Sequence, residues 1–389
     1  MTISTPAKVK NVLASGIDSL VLSIDAAWKD NSFFTFLEEL EEKAKQNNTD
    51  YQGQLKHFNP DELWPFTIKP HGTKGFSWLI SGNDLTYKIA NSREPGSRPN
   101  VMIEVRSEAL WRLGAEETVN IALKLIKANG GHLVEEKISR VDLCLDFLMP
   151  GRKWSNRLLD YAVTRATDYA PYYRHRELTG IRIGKGKISV RLYNKPLEIE
   201  QQSKKYWMYE IWGIKEIPEK RKIIRIEFQL RRDILNELQI NGSPDLFQKI
   251  DGVWAYCTKN WLKFQDRPGL HHTQRTTFKW YEEIQDGFSG IQGASPLVRE
   301  KAISADKKKL MQQANGLIQS LHAINQEEKN IDRNEPVKIE DCLNSYVAEL
   351  KKHCPNPLEV KERVTKKRAR YHREEPMIQK GQIPYRIIK

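Results

Sequence analysis

With 63 Lys and Arg against 50 Asp and Glu over 389 residues, the chain carries a formal charge of +13, which favours an acidic polymer as partner, and it is long enough for one large domain with an appendage or for two domains. Its four cysteines, Cys144, Cys257, Cys342 and Cys354, show no CxxC spacing, so neither a zinc centre nor a disulfide framework is expected and reduced cytoplasmic thiols are the default. The opening MTISTPAKVKNVLASG has no apolar core and no run of about 18 apolar residues occurs anywhere, which argues against secretion and against a membrane partner.

In chain order, Ile17–Ile24 alternates as a strand, and SFFTFLEELEEKAKQ at 32–46 places Phe33, Phe36, Leu37 and Leu40 on one helical face. Residues 51–100 are rich in Pro, Gly and aromatics, and predict short strands at Ser77–Ile80 and Leu85–Ile89 with an exposed loop at Asn91–Pro99. Val101–Arg106 is another alternating strand, followed by a helix over Glu116–Ala128 that Gly130 terminates. Ile138–Phe147 (ISRVDLCLDF) then sets Ser139, Val141, Leu143, Leu145 and Phe147 on one face and Arg140, Asp142, Cys144 and Asp146 on the other.

Ser155 is a suitable N-cap for a helix to Thr167. The stretch DYAPYYRHRELTG at 168–180 interleaves Tyr169, Tyr172 and Tyr173 with Arg174, His175 and Arg176. Such interleaving suits single-stranded nucleic acid, because each base stacked on an aromatic ring contributes about 1–3 kcal/mol while cations follow the backbone. A loop tucked against a sheet by its tyrosines is the alternative.

The richest stretch is Ile181–Gln201, IRIGKGKISVRLYNKPLEIEQ. Ile188, Val190 and Leu192 fall on one side of a strand, and Lys187, Ser189, Arg191, Tyr193 and Lys195 on the other. Tyr193 is thereby flanked by Arg191 and Lys195, where a phenolate and a phosphate would both be stabilised. The aromatic segment 201–221 predicts a hairpin or helical insertion nearby. Lys222–Arg231 (KIIRIEFQLR) repeats the two-faced plan, with Ile224, Ile226, Phe228 and Leu230 opposed to Arg225, Glu227, Gln229 and Arg231. If these three strands share a sheet, one polar surface collects Tyr193, Asp142, Asp146, Glu227, Arg191, Lys195 and Arg225; a solvated sheet face is the alternative.

Ser243-Pro244 opens a helix running to about Trp261. Domain boundaries are expected at 1–265 for the core, 266–295 for a linker containing a short helix at Phe278–Ile284, and 296–389 for a basic helical region. That region has helices over Pro296–Ile324 and Ile339–His353, the basic run KERVTKKRARYHR at 361–373 and an expected disordered tail from Glu374. DNA contact, partner contact and a solvated helical surface are its open roles.

The segments RVDLCLDF, IRIGKGKISVRLYNK and RIEFQLRR, with GIDSLVLSID at 16–25, resemble the replication initiation factor family of rolling-circle initiators and related relaxases of plasmids, integrative elements and filamentous phages. The resemblance spans roughly residues 16–240. It implies an α+β fold, an antiparallel-rich nickase core of duplicated βαβ-like units with a helical C-terminal extension. It also implies that Tyr193 cuts one DNA strand at an origin, leaving a 5′-phosphotyrosyl link and a free 3′-OH, with Gly184 in the preceding turn and Lys195 following. The turn here reads Gly-Lys-Gly, a departure from the more usual Gly-Ser-Arg or Gly-Ser-Lys. On this reading Asp142, Glu227 and Asp146 hold Mg²⁺ or Mn²⁺, unless they serve internal salt bridges to Arg140 and Arg225. Arg191 and Lys195 assist the chemistry, and Arg225, Lys185, Lys187, Arg174, Arg176, Tyr172 and Tyr173 bind DNA. Origin duplex and single strand, a host helicase and a second copy are the expected partners, in a bacterial cytoplasm. The competing expectation is an origin binder or regulator that does not cut.

Other chemistries lack their residues. His271-His272-Thr273 is not a pair of metal histidines split by an apolar residue, and Tyr281 is too close to His272-x-x-Arg275 for a tyrosine recombinase. GKGK at 184–187 is no Walker loop.

Overall fold

A computed structural model describes residues 11–56, 63–214, 216–266, 271, 274–288, 307–331, 337–353, 360, 361 and 364. The chain divides into two units, one to Arg299 and one from Glu300.

The first unit is built on strands β1 (Val12–Trp28), β2 (Tyr51–Lys56), β3 (Leu63–Ile68), β4 (Trp78–Ser81), β5 (Leu85–Ile89), β6 (Val101–Val105) and β7 (Gly131–Pro150). They are followed by β8 (Ala162–Thr164), β9 (Tyr169–Arg174), β10 (Glu177–Ile183), β11 (Ile188–Asn194), β12 (Arg221–Arg231) and β13 (Leu262–Phe264). Eleven of them form one sheet in the order β2-β3-β4-β5-β6-β1-β7-β12-β11-β10-β9, and β8 pairs with β13 apart from it. The fold is thus mixed helix and strand around a large antiparallel sheet.

The order contains a repeat. β1 pairs with β6, and β5 to β2 step outward from it; β7 pairs with β12, and β11 to β9 step outward on the other side. In each half the last strand leads into helices, at Ser107–Arg112 and Ala115–Ala128 after β6 and at Arg232–Glu237 and Ser243–Ala255 after β12. All the pairings are antiparallel, so each half is an antiparallel meander, β2 to β6 or β9 to β12, with the half's first strand added beside its last, rather than a parallel βαβ crossover.

One face of the sheet carries the core. Leu20, Leu22 and Ile24 of β1, Val141, Leu143 and Leu145 of β7 and Ile224, Ile226 and Phe228 of β12 are completely buried, together with Leu37 of the helix Ser32–Asn47. Leu125, Leu246, Ile250 and Val253 join them from the later helices, as the alternation of these strands requires. The helix Lys279–Asp286 belongs to this core as well. Tyr281 and Ile284 are fully buried, and Trp254 donates to the Ile284 carbonyl at 3.0 Å. Residues 274–288 are therefore part of the first unit and not a linker.

Three local expectations change. Residues 156–167 do not form a helix: a 3₁₀ turn at Asn156–Tyr161 gives way to β8, which Leu262–Phe264 pairs from about 100 positions downstream. Ser139 does not face the core, because the pairing steps from Val21↔Arg140 to Leu22↔Ile138 and leaves Ser139 in a bulge. The helix at Ser243 has Gly242 as its N-cap, with Ser243 already inside, and its last part, Tyr256–Trp261, is π-helical.

The second unit contains helices Lys307–Glu328 and Ile339–His353, with Cys342 buried and His322 Nδ1 2.8 Å from Ser345 Oγ. Most of the basic run 361–373, the tail from Glu374, Cys354 and His272 lie outside the described residues. No helix among the described residues is long and apolar enough to cross a membrane.

Candidate functional site

The polar face of the second half of the sheet is fixed by register. Tyr193 of β11 stands opposite Arg225 of β12, which stands opposite Asp146 of β7, which stands opposite Ala14 of β1. The neighbouring row runs Arg182, Arg191, Glu227, Cys144 and Gly16, and the next runs Ser189, Gln229, Asp142 and Ser19. Every residue expected on this face is there except Lys195. Asn194-Lys195-Pro196 ends the strand, since the Asn194 side chain accepts from Leu197 N at 3.3 Å and Pro196 sits in the first helical turn. Lys195 consequently lies at the start of the helix Lys195–Glu198, 1% exposed, with Nζ donating to Glu198 Oε2 at 2.6 Å. It is still 5.6 Å from the centre of the Tyr193 ring, but it is not open to substrate.

The centre of the face is the contact between Tyr193 and Glu227. The phenol donates to Glu227 Oε2 at 2.7 Å, and Arg191 donates to Glu227 Oε1. Glu227 is 2% exposed and Tyr193 is partly buried. Burial first, and then the Glu227 charge, push the phenol well above its usual pKa, so it is a neutral donor at rest. Beside it, Arg140 grips Asp142 through both nitrogens of the fork, with Nε donating to Oδ1 at 2.8 Å. Burial raises the Asp142 carboxyl above the usual aspartate range, with the Glu227 charge adding to it against the pull of Arg140.

A second, deeper network lies one row away. Arg225 is completely buried, with Nε 2.7 Å from Asp146 Oδ1, Nη2 2.7 Å from Asp146 Oδ2 and Nη1 2.6 Å from Asp18 Oδ1. Trp212 Nε1 adds a donor to Asp146 at 2.8 Å and Ser107 Oγ one to Asp18 at 2.9 Å. The lid over this network is the segment after β11, where Ile199, Met208 and Trp212 form a small apolar cluster with Ile223. Arg225 is therefore a structural ion and not a DNA contact. Asp146, likewise sealed, cannot stand as a third metal ligand.

Asp18 enters by a bulge. The β1–β7 pairing skips from Ile17↔Leu143 to Ser19↔Asp142, and the extra residue presents its carboxylate to Arg225. Burial alone would raise the Asp18 pKa, but Arg225, helped by Lys205, Lys195 and Ser107, outweighs it and holds the group below its ordinary value of 3.8. A depressed folded-state pKa contributes stability that is present above the unfolded value and is lost as pH falls below it. Asp18→Asn should therefore be less stable than the parent at neutral pH, and the gap should close as pH is lowered from about 4. Urea midpoints of the two proteins between pH 7 and pH 2.5 test this; a constant gap rejects it.

All six carboxylate oxygens of Asp142, Asp146 and Glu227 accept hydrogen bonds from the donors named above. Among the described residues no group of three His, Cys, Asp or Glu has the arrangement of a metal site. Of these three carboxylates, Asp142 and Glu227 are the ones that fit an ion, since their guanidinium partners, Arg140 and Arg191, have side chains 37% and 50% exposed.

The remaining expected contacts lie toward the sheet edge. Tyr172 and Tyr173 are about half exposed on β9, the edge strand. The β9–β10 turn is His175-Arg176, both at positive φ, and exposes Arg174 and Arg176. Lys185 is exposed in the next turn, and Lys187 pairs with Glu237 at 2.6 Å. Gly184 there has φ +83°, and a Cβ would come within 2.9 Å of the Ile188 carbonyl and of Trp261, which explains the glycine. Sequence reasoning missed Asp18, Arg182 and Trp212. Arg182 could have been found from the alternation of IRIGK; the other two join through bulge and insertion geometry that no local pattern carries.

No family model matches the chain, and no curated protein matches it either.

Proposed function

We propose that the protein is a rolling-circle replication initiator that nicks one DNA strand with Tyr193. The observation that carries this reading is the 2.7 Å hydrogen bond from the Tyr193 phenol to Glu227, with the half-exposed Arg191 on the other carboxylate oxygen. A neutral phenol needs a base, and Glu227 is in place to be one. Tyr193 Oη attacks the phosphorus as its proton passes to Glu227 Oε2, and the bond from phosphorus to the 3′-oxygen breaks. The 3′-oxygen takes a proton from water, leaving a 5′-phosphotyrosyl link and a 3′-OH. Arg191 neutralises charge that develops on the phosphate. Mg²⁺ or Mn²⁺ would be held by Asp142 and Glu227, and would supply charge neutralisation at the phosphate. The expected nickase core corresponds on this reading to the half-sheet β7-β12-β11-β10-β9.

The test is incubation of supercoiled DNA carrying the intergenic region beside the gene, with and without EDTA, followed by denaturing gels that detect DNA covalently bound to protein. A nicked product with an adduct, lost in EDTA, supports both the chemistry and the ion; an adduct that survives EDTA removes the ion alone. Glu227→Gln keeps the size and an acceptor but not the base, and should slow nicking by about 10²–10⁴ while the protein stays folded. Unchanged rates would assign Glu227 to packing.

A second reading has its own observation. Because the carboxylates are already paired with arginines, the same face serves equally as the rigid floor of a DNA-binding surface that never cuts. Origin-specific binding with no nick and no adduct would select it.

A further inference from the structure

Arg182 is the cation on this face without a partner. Its Nε is buried and makes no hydrogen bond, and among the described residues its guanidinium forms no ion pair. It also stands directly opposite Arg191 in the β10–β11 register. Arg191 is already paired with Glu227, so the guanidinium left with a buried donor and no acceptor is that of Arg182, and such a donor carries a penalty. An oxyanion bound at the Arg182 guanidinium gives it the missing counter-charge.

The space beside them has a particular shape. Gly180, two residues before Arg182, stands opposite Tyr193, and on its other side opposite Tyr172. A Cβ at Gly180 would lie 3.3 Å from the Leu192 carbonyl oxygen and from the Tyr193 Cβ, and 3.8 Å from the Tyr172 ring, so the glycine keeps side-chain atoms out of the gap between the two tyrosines. Tyr172 is about half exposed and available to stack.

We infer that Arg182 binds the internucleotide phosphate next to the one that Tyr193 attacks, with Arg191 staying at the attacked phosphate and the intervening base lying over Gly180 against Tyr172. The inference rests on the nicking reading for its register, but the subsite is a binding site in its own right. Arg191 is two residues from Tyr193 along the strand, about 7 Å, and Arg182 is one strand spacing of about 4.8 Å further. The site recognises phosphate and a π-face, so it is indifferent to base identity.

The full chain is titrated into a fluorescein-labelled oligothymidylate at several salt concentrations, and anisotropy gives affinity and its salt slope. Arg182→Gln should weaken binding by about tenfold and flatten the slope of log K against log salt by about 0.7, one single-strand phosphate. Arg182→Lys should keep the slope and lose part of the affinity, since a point charge cannot fork. Arg152→Gln, an exposed cation outside this face, should change neither. The melting temperature of Arg182→Gln should stay or rise, because no ion pair is lost; a fall would make Arg182 structural and overturn the proposal. Parental affinity and slope in Arg182→Gln would overturn it too, as would an equal loss in Arg152→Gln. A parent that binds with an Arg182-dependent slope yet forms no adduct keeps the subsite and discards the chemistry; one that forms the adduct without needing Arg182 does the reverse.

Discussion

Tyr193→Phe should abolish the nick and the covalent adduct together, while oligonucleotide affinity stays within about twofold of the parent, since one hydroxyl not used for binding is all that is removed. The ring remains over its neighbours, so packing is preserved. The lost hydrogen bond leaves Glu227 with Arg191 as its remaining partner, a cost of about 1–3 kcal/mol in stability, too small to unfold the protein. Residual cutting at the parental rate would exclude Tyr193 as nucleophile. The exposed Tyr172, Tyr173 and Tyr206 would then be the tyrosines to replace next.

Arg225→Ala should have the largest effect on stability. It strands Asp146, completely buried, and Asp18 without their shared cation, and breaking a buried pair in this way costs about 3–5 kcal/mol. That is a large fraction of the about 5–15 kcal/mol by which domains are stable. Replacing all three, as Arg225→Met with Asp146→Asn and Asp18→Asn, should recover much of the loss, because the charges disappear together. Equilibrium urea unfolding measures both proteins. A single variant as stable as the parent but weakened in DNA binding would return Arg225 to the DNA surface.

The contrast between Arg191 and Arg225 shows where sequence patterns stop. Period-two alternation placed both on the polar face with Tyr193, Asp142, Asp146 and Glu227, and the register joins β7, β12 and β11 as neighbours. Alternation states which side of a strand a residue takes and nothing about what covers that side. The cover over Arg225 comes from Ile199, Met208 and Trp212, in a segment legible only as an aromatic insertion. The same limit hid Asp18, since a bulge is a property of two strands and β1 meets β7 across more than 100 positions. Lys195 was misplaced for a local reason: the Asn-x-Pro cap overrides strand continuation. The helices at Ser32 and Ala115 were legible because their apolar stripes are long and regular, whereas the stretch after Ser155 carries helical residues into a short strand only because β13 arrives to pair with it.

The long central pair has a consequence for how the chain is made. β1 can close on β6 once residue 105 has been synthesised, but its other edge waits for β7, whose pairing runs from Gly131 to Phe147. At about 5–20 residues per second the seventeen-residue strand therefore presents an open edge to the nascent chain's surroundings for several seconds. Open edges of this length invite pairing with other chains. Fragments that end before Gly131 keep that edge permanently, and should collect as aggregates where fragments extending past β12 remain dispersed.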